Sequence, residues 1–215
     1  MQKALAMWLL LAAGGGAQPE VSPTQVVQRA TEQVLQVVQD GQLAAPASQD
    51  QRRLEVQRIA DRLFDFQEMS RRALALHWRD RTPQEQAEFV VVFKQLLGRA
   101  YIGRLENYTG EQVVYLSEHV DGEFATVRSK IVTGRGSEIP VDYRLRQVGA
   151  RWAVYDVAVS GVSFVANYRG QFDRIIRSSS YQALIRDLKS RSVDGTGRAV
   201  VPVAIPAAAP ALKTP

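Results

Sequence analysis

Thr82 to Tyr108 reads TPQEQAEFVVVFKQLLGRAYIGRLENY, and the change of period just beyond it sets the fold class. The stretch opens with Thr82 as cap, Pro83 at the first helical position and Glu85 at the third, a reciprocal capping box. The spacing predicts a helix running to about Tyr108, with Thr109-Gly110 ending it. Its inner face would carry Phe89, Val90, Phe93, Leu96 and Leu97, then Ala100, Tyr101, Leu105 and Tyr108. Gly98 and Gly103 each weaken that helix by about 1 kcal/mol relative to Ala. After Gly110 the period becomes two. Val113 and Tyr115 begin one strand, and Val127, Ser129 and Ile131 alternate with Arg128 and Lys130 in a second. Ile139, Val141, Tyr143 and Leu145 alternate with Asp142, Arg144 and Arg146 in a third, and Trp152 to Val159 forms a fourth. Asp121-Gly122, Gly134-Arg135-Gly136-Ser137 and Gly149 mark short turns between them, so neighbouring strands should be antiparallel.

Working outward, Ser22-Pro23-Thr24-Gln25 starts a first helix with Val27, Ala30, Val34 and Val37 on one face, and Gly41 can end it. Ser48-x-x-Gln51 starts a second, with Val56, Ile59, Ala60, Leu63 and Phe64 in a wide apolar stripe. Asp65-x-x-Glu68 caps a short third one bearing Met69, Ala73 and Leu74. Helical spacing returns from Ser163 to Arg177 and from Ser180 to Arg191. The fold class is α+β: helices packed on one face of a four-stranded antiparallel meander.

Both ends stand apart from this pattern. Lys3, the apolar run Ala4–Ala13 and small residues before Ala17 have the layout of a cleavable signal peptide over residues 1–17. The run falls short of the ~20 apolar residues that span a bilayer. From Val193 to Pro215, prolines at 202, 206, 210 and 215 forbid a helix, and a disordered Pro/Ala-rich tail is expected. The folded domain is then 18–192. Export also places the chain where no ATP is available, which argues against kinase-like chemistry.

Composition narrows the chemistry. The 215 residues carry 27 Lys and Arg against 22 Asp and Glu, a net charge of +5, and 46% are hydrophobic. These are globular proportions, which exclude overall disorder and a polytopic membrane protein. With no Cys there is no disulfide, thiolate site or Cys nucleophile. His77 and His119 are the only histidines, His77 reading as a partly buried helix residue and His119 as a solvated turn residue. Nucleophile-elbow, phosphate-loop, dinucleotide and zinc-protease motifs are missing. A pair of carboxylates facing across a cleft is not visible in sequence, so a glycosidase-like pair stays open. The basic residues are dispersed without interleaved aromatics, which fits nucleic acid poorly. No catalytic residue, metal site or cofactor is called.

Four ordered segments carry a resemblance. DFQEMSRRALALHWRDRTPQEQAEFVVVFKQLLGRAY (Asp65–Tyr101), IPVDYRL (Ile139–Leu145), WAVYDVAVSGVSFVANYRGQF (Trp152–Phe172) and LIRDL (Leu184–Leu188) resemble the MlaC-type periplasmic lipid-binding proteins, also known as toluene-tolerance or ABC-transporter auxiliary components. The resemblance implies a soluble carrier that ferries phospholipid across the periplasm. Its partners would be an outer-membrane lipoprotein complex and an inner-membrane ABC transporter with a substrate-capturing domain, and a monomer is expected. It also implies a mixed fold broadly like that of nuclear transport factors, with a deep apolar pocket between helices and sheet.

The residues themselves leave a dry core and a cavity equally open. On the pocket reading, Phe93, Leu97, Tyr101 and Leu105 line it from the helix. Val127, Ile131, Val141 and Tyr143 line it from the sheet, joined by Leu145, Trp152 and Val154. Phe164, Tyr168 and Phe172 close one side. Arg144, Arg151 and Arg169 are candidate headgroup contacts, with salt bridges to Asp142, Asp156 or Asp173 as the competing reading. At about 0.8 kcal/mol per buried CH₂, two chains of ~15 carbons gain more than ~20 kcal/mol as an upper bound. Release would therefore need docking or a loosened pocket, for which Gly98, Gly103, Gly161 and Gly170 are flexible points. Alternatives are a carrier of another lipid such as a hopanoid, a small pocket-containing enzyme, and an interaction module with a filled core.

Overall fold

The structure is a computed structural model that describes residues 21–41, 43, 48–102, 108 and 110–194. The expected leader (1–17), Leu105 and the tail beyond Asp194 lie outside the described residues.

Most of the helices begin where a side chain provides a cap. Helix α1 (Pro23–Gln39) has the full capping box: the Ser22 hydroxyl accepts from the Gln25 N–H, and the Gln25 side chain accepts from the Ser22 N–H. Helix α2 (Gln49–Leu63) departs from expectation. Ser48, at φ −103° and ψ 4°, is not in the extended conformation of a good N-cap and makes no side-chain cap bond, so the anticipated box with Gln51 does not form. Helix α3 (Phe66–Leu74) starts at Asp65, whose carboxylate accepts from the Glu68 N–H at 2.9 Å. A single turn, α4 (Leu76–Arg79), follows Ala75, which bridges the two helices at φ 50°.

Helix α5 (Pro83–Tyr101) carries the Thr82/Glu85 box. It stops at Tyr101, seven residues short of the expected Tyr108, which lies outside any helix. Gly98 withdraws helix propensity from this end, and the Tyr101 ring is committed to stacking on Phe164, with centroids 4.7 Å apart. Its inner stripe is Phe89, Val92, Phe93, Leu96 and Leu97. Val92 replaces the expected Val90, which is only half-buried.

The sheet is one antiparallel meander of five strands, in the order β1 (Gln112–Asp121), β2 (Phe124–Val132), β3 (Glu138–Val148), β4 (Arg151–Val159) and β5 (Val162–Ser163). The fifth is the departure from the four expected. Ser160 and Gly161, at φ 49° and 80°, make a tight two-residue reversal that returns Val162 and Ser163 along β4. A two-residue strand has no period to read. His119 lies within β1, exposed, and not in a turn.

Register puts one set of side chains on one face. Val127 pairs with Tyr143, which pairs with Val157; Ala125 pairs with Leu145, which pairs with Val154; Ser129 pairs with Val141, which pairs with Val159. A bulge beside Leu145 leaves Tyr155 over on β4. The chain then closes with α6 (Phe164–Ser178), capped by the Ser163 hydroxyl, and α7 (Tyr181–Asp194), which runs two residues past the expected domain end at 192.

The apolar residues gather into two cores. One is helical, built from α3, α5, α6 and α7 around Phe89, Phe93, Tyr168 and Phe172. The other is the apolar face of the sheet, covered by Val27 of α1 and Phe164.

Candidate functional site

The apolar sheet face is the candidate site, and strand parity builds it. Odd positions of β2 and β3 share it, so Val127, Val141 and Leu145 are buried there at 0–3% exposure, while Ile131 and Tyr143 keep part of their surface accessible. From β4 come Trp152 and Val154, and Phe164 lies at the start of α6. These eight residues are the part of the expected pocket wall that the structure brings together.

Phe93, Leu97, Tyr168 and Phe172 fall in the other core. Phe93 meets Tyr168 and Phe172 edge-on at 5.3 and 5.5 Å, and Phe89 meets Phe172 at 5.6 Å. Phe93, Tyr168 and Phe172 are 0% exposed, so these rings pack on one another. Tyr101 and Phe64 pack against both cores.

Other residues join the sheet face that sequence reasoning did not assign. Val27 was legible as the inner stripe of α1, but nothing local said which surface it would cover. Val26, Leu63, Phe64 and Tyr115 are half-buried around the face, and Val157 is on it. Tyr115 donates from its hydroxyl to Thr31 of α1 at 3.0 Å, and Thr31 in turn donates to the Val27 carbonyl. The Thr24 N–H of α1 donates to Glu118 of β1 at 2.7 Å. Those bonds hold α1 over the strands.

The three arginines are placed elsewhere. Arg144 has the opposite strand parity from Tyr143 and Leu145, and its guanidinium donates to Asp156 at 2.8 Å, one of the competing partners named from sequence. Asp156 is buried and also accepts from the Ser163 hydroxyl and the Val165 N–H. Arg151 donates to the Arg62 carbonyl, and Arg169 is exposed on α6.

Electrostatics separate the face from its surroundings. Burial, helped by neighbouring Tyr115, pushes the Tyr143 hydroxyl well above the usual phenol range. Burial likewise raises Tyr115, against its hydrogen bond with Thr31. An environment that penalises a phenolate suits hydrocarbon and neutral groups. Elsewhere, His77 Nε2 lies 2.9 Å from Asp173, which also accepts from Arg177. The hydrogen bond from His77 is the main reason the Asp173 carboxyl falls below its ordinary value, and the pair ties α4 to α6. Among the described residues no cluster of His, Asp and Glu has the makings of a metal site, and no helix is long and apolar enough to cross a membrane.

Fold and face together define an α+β protein with an apolar sheet surface roofed by a helix and rimmed by tyrosines. The profile of the family described as MlaC protein matches residues 28–190, and the chain belongs to that family. Among its relatives, the toluene tolerance protein ttg2D of Pseudomonas putida is 29% identical over 117 residues, covering 54% of each chain, so the match spans about half of that relative's length. The intermembrane phospholipid transport system binding protein MlaC of Haemophilus influenzae is 21% identical over 175 residues, 79% of this chain and 82% of that one. Among solved structures, a phospholipid-binding protein from Ralstonia solanacearum in complex with a phospholipid superposes with a TM-score of 0.70. It is 26% identical, over 82% of this chain and 97% of that one.

Proposed function

We propose that this chain is a periplasmic phospholipid carrier, receiving lipid at one membrane complex and delivering it at another. The partners on this reading are an outer-membrane lipoprotein complex and an inner-membrane ABC transporter with a substrate-capturing domain. The observation that carries the reading is the likeness to the phospholipid-bound Ralstonia protein across nearly its whole length. The sheet face supports it. Ile131, Tyr143, Tyr115, Tyr101 and Val26 keep accessible surface around buried valines and Leu145, which is the make-up of a wall that acyl chains complete.

The carrier does no chemistry on its cargo. Hydrocarbon burial at about 0.8 kcal/mol per CH₂ supplies the affinity, and a partner must loosen the site for release. The aromatic knot of Phe89, Phe93, Tyr168 and Phe172 then acts as the rigid half against which the sheet face moves. Native mass spectrometry of protein purified from cells tests the cargo: a bound mass of one phospholipid is expected. A homogeneous, lipid-free protein that also fails to take lipid from vesicles ends the proposal.

A further inference from the structure

We infer that the Tyr143 hydroxyl is a hydrogen-bond donor to an ester carbonyl of the bound glycerolipid. The inference rests on the carrier reading and assigns the polar contact within it.

Tyr143 occupies the central strand β3, between Val127 of β2 and Val157 of β4, with Val141 and Leu145 before and after it on the same face. Its along-strand and cross-strand neighbours on this face are thus aliphatic, and the one phenol close enough to affect it electrostatically is Tyr115. The other strand hydroxyls nearby are engaged. Tyr115 donates to Thr31, and Ser129 donates to the Val141 carbonyl at 2.9 Å. Among the described residues nothing accepts from or donates to the Tyr143 hydroxyl, although the residue retains accessible surface. A phenol with no protein partner keeps a hydrogen bond to water until a ligand displaces that water, and the ligand then has to supply an acceptor of its own.

The chemistry of that ligand follows from what surrounds the hydroxyl. A phosphate would bring a charge into the place where burial already penalises the phenolate. The nearest cation along the strand, Arg144, is on the opposite face and bonded to Asp156. With the Tyr115 hydroxyl engaged by Thr31, the Tyr143 hydroxyl is a neutral donor flanked mostly by aliphatic groups, which matches a neutral acceptor attached to hydrocarbon; in a glycerophospholipid that is the acyl ester. The phosphate then stays outside this part of the face.

The test uses the full chain, stripped of lipid and reloaded from vesicles of a diester phospholipid or its diether analogue with the same chains and headgroup. The ether lacks the carbonyl and little else. One hydrogen bond makes the diester about 3- to 10-fold tighter for the wild type. Tyr143→Phe should abolish the preference, so that diester and diether bind with equal affinity. Equal binding of both lipids by the wild type, which needs no variant, overturns the inference while leaving the carrier reading intact. So does a diester preference that survives in Tyr143→Phe. Failure of either lipid to bind the wild type overturns both.

Discussion

Ser70 and Glu68 sit within one turn of α3, and they represent opposite ways of burying a polar group. Ser70 is 0% exposed, and its hydroxyl has no hydrogen-bond partner. An orphan hydroxyl contributes nothing and costs its desolvation, so Ser70→Ala should leave stability unchanged or raise it by about 1 kcal/mol in urea unfolding. A loss beyond that would mean the hydroxyl has a role in the folded state. Glu68 is buried with partners: Arg71 and Arg72 donate to it at 2.6–2.7 Å, and Arg72 also lies over the Tyr155 ring. Burial pushes its carboxyl up, but the hydrogen bonds and charges of the two arginines outweigh it and leave it below its ordinary value of 4.5. A depressed carboxylate stabilises the fold above its unfolded pKa, and that contribution is lost as pH falls through the lower folded value. Glu68→Gln should therefore cost about 1–2 kcal/mol at pH 7, less than for a fully buried pair because both arginines reach water. The difference from wild type should shrink below pH 4.5, and a gap that stays constant with pH would contradict it.

At the scale of elements, caps and periods were legible because each is a local contest. Thr82 and Glu85 satisfy each other's N–H groups at 3.2 and 2.9 Å whatever the rest of the chain does. Thr82→Ala should accordingly lower stability by about 1 kcal/mol, read as a shift in the urea midpoint. The alternation through Ile139, Val141, Tyr143 and Leu145 likewise fixed the sheet face in advance. What sequence did not contain was the partition of that apolar set. Phe93 and Leu97 lie on the inner face of α5 just as Tyr101 does, yet Phe93 meets Tyr168 and Phe172 farther along α6 while Tyr101 stacks on Phe164, the first residue of α6, beside the sheet. That choice depends on where α6 crosses α5, a long-range fact. The missing cap at Ser48 has no such account, and the strand at Val162 was missed because two residues show no period. The partition makes a prediction. Phe93→Ala should cost about 3–5 kcal/mol, as for any ring taken from a packed core. Ile131→Trp should remove co-purifying lipid while the protein stays folded, because its new bulk enters space the cargo would use. If Ile131→Trp unfolds the chain instead, that part of the face is solid.

For the whole molecule, the two cores imply two levels of stability. The helical one is complete without cargo: Phe89, Phe93, Tyr168, Phe172, Leu184 and Leu188 are all at 0% exposure. The sheet face is finished only partly by protein. Helix α1 is held there by Val27, by the bond from Thr24 to Glu118 and by Tyr115 with Thr31. Strand β1 is a sheet edge, with Val114, Leu116 and Val120 exposed along it and a bulge at Leu116. On the other side, β4 is flanked by β5 and by a bridge from Phe64 to Val154. A ligand bound only by the folded state adds about 2.7 kcal/mol at 100 times its Kd, and the addition is felt where the ligand makes its contacts. Stripping the lipid should therefore speed amide hydrogen exchange about 10- to 100-fold in α1 and β1–β3, through local opening. Amides of α5, α6 and α7 around the aromatic knot should keep their rates. Equal acceleration in both halves would mean that sheet face and helical core open as one unit. Release would then require unfolding the rigid half too, which a docking partner at one surface is poorly placed to drive. An unchanged α5–α7 beside a loosened α1 instead puts the moving part of the carrier at the α1–sheet seam, where a partner has only a few contacts to undo.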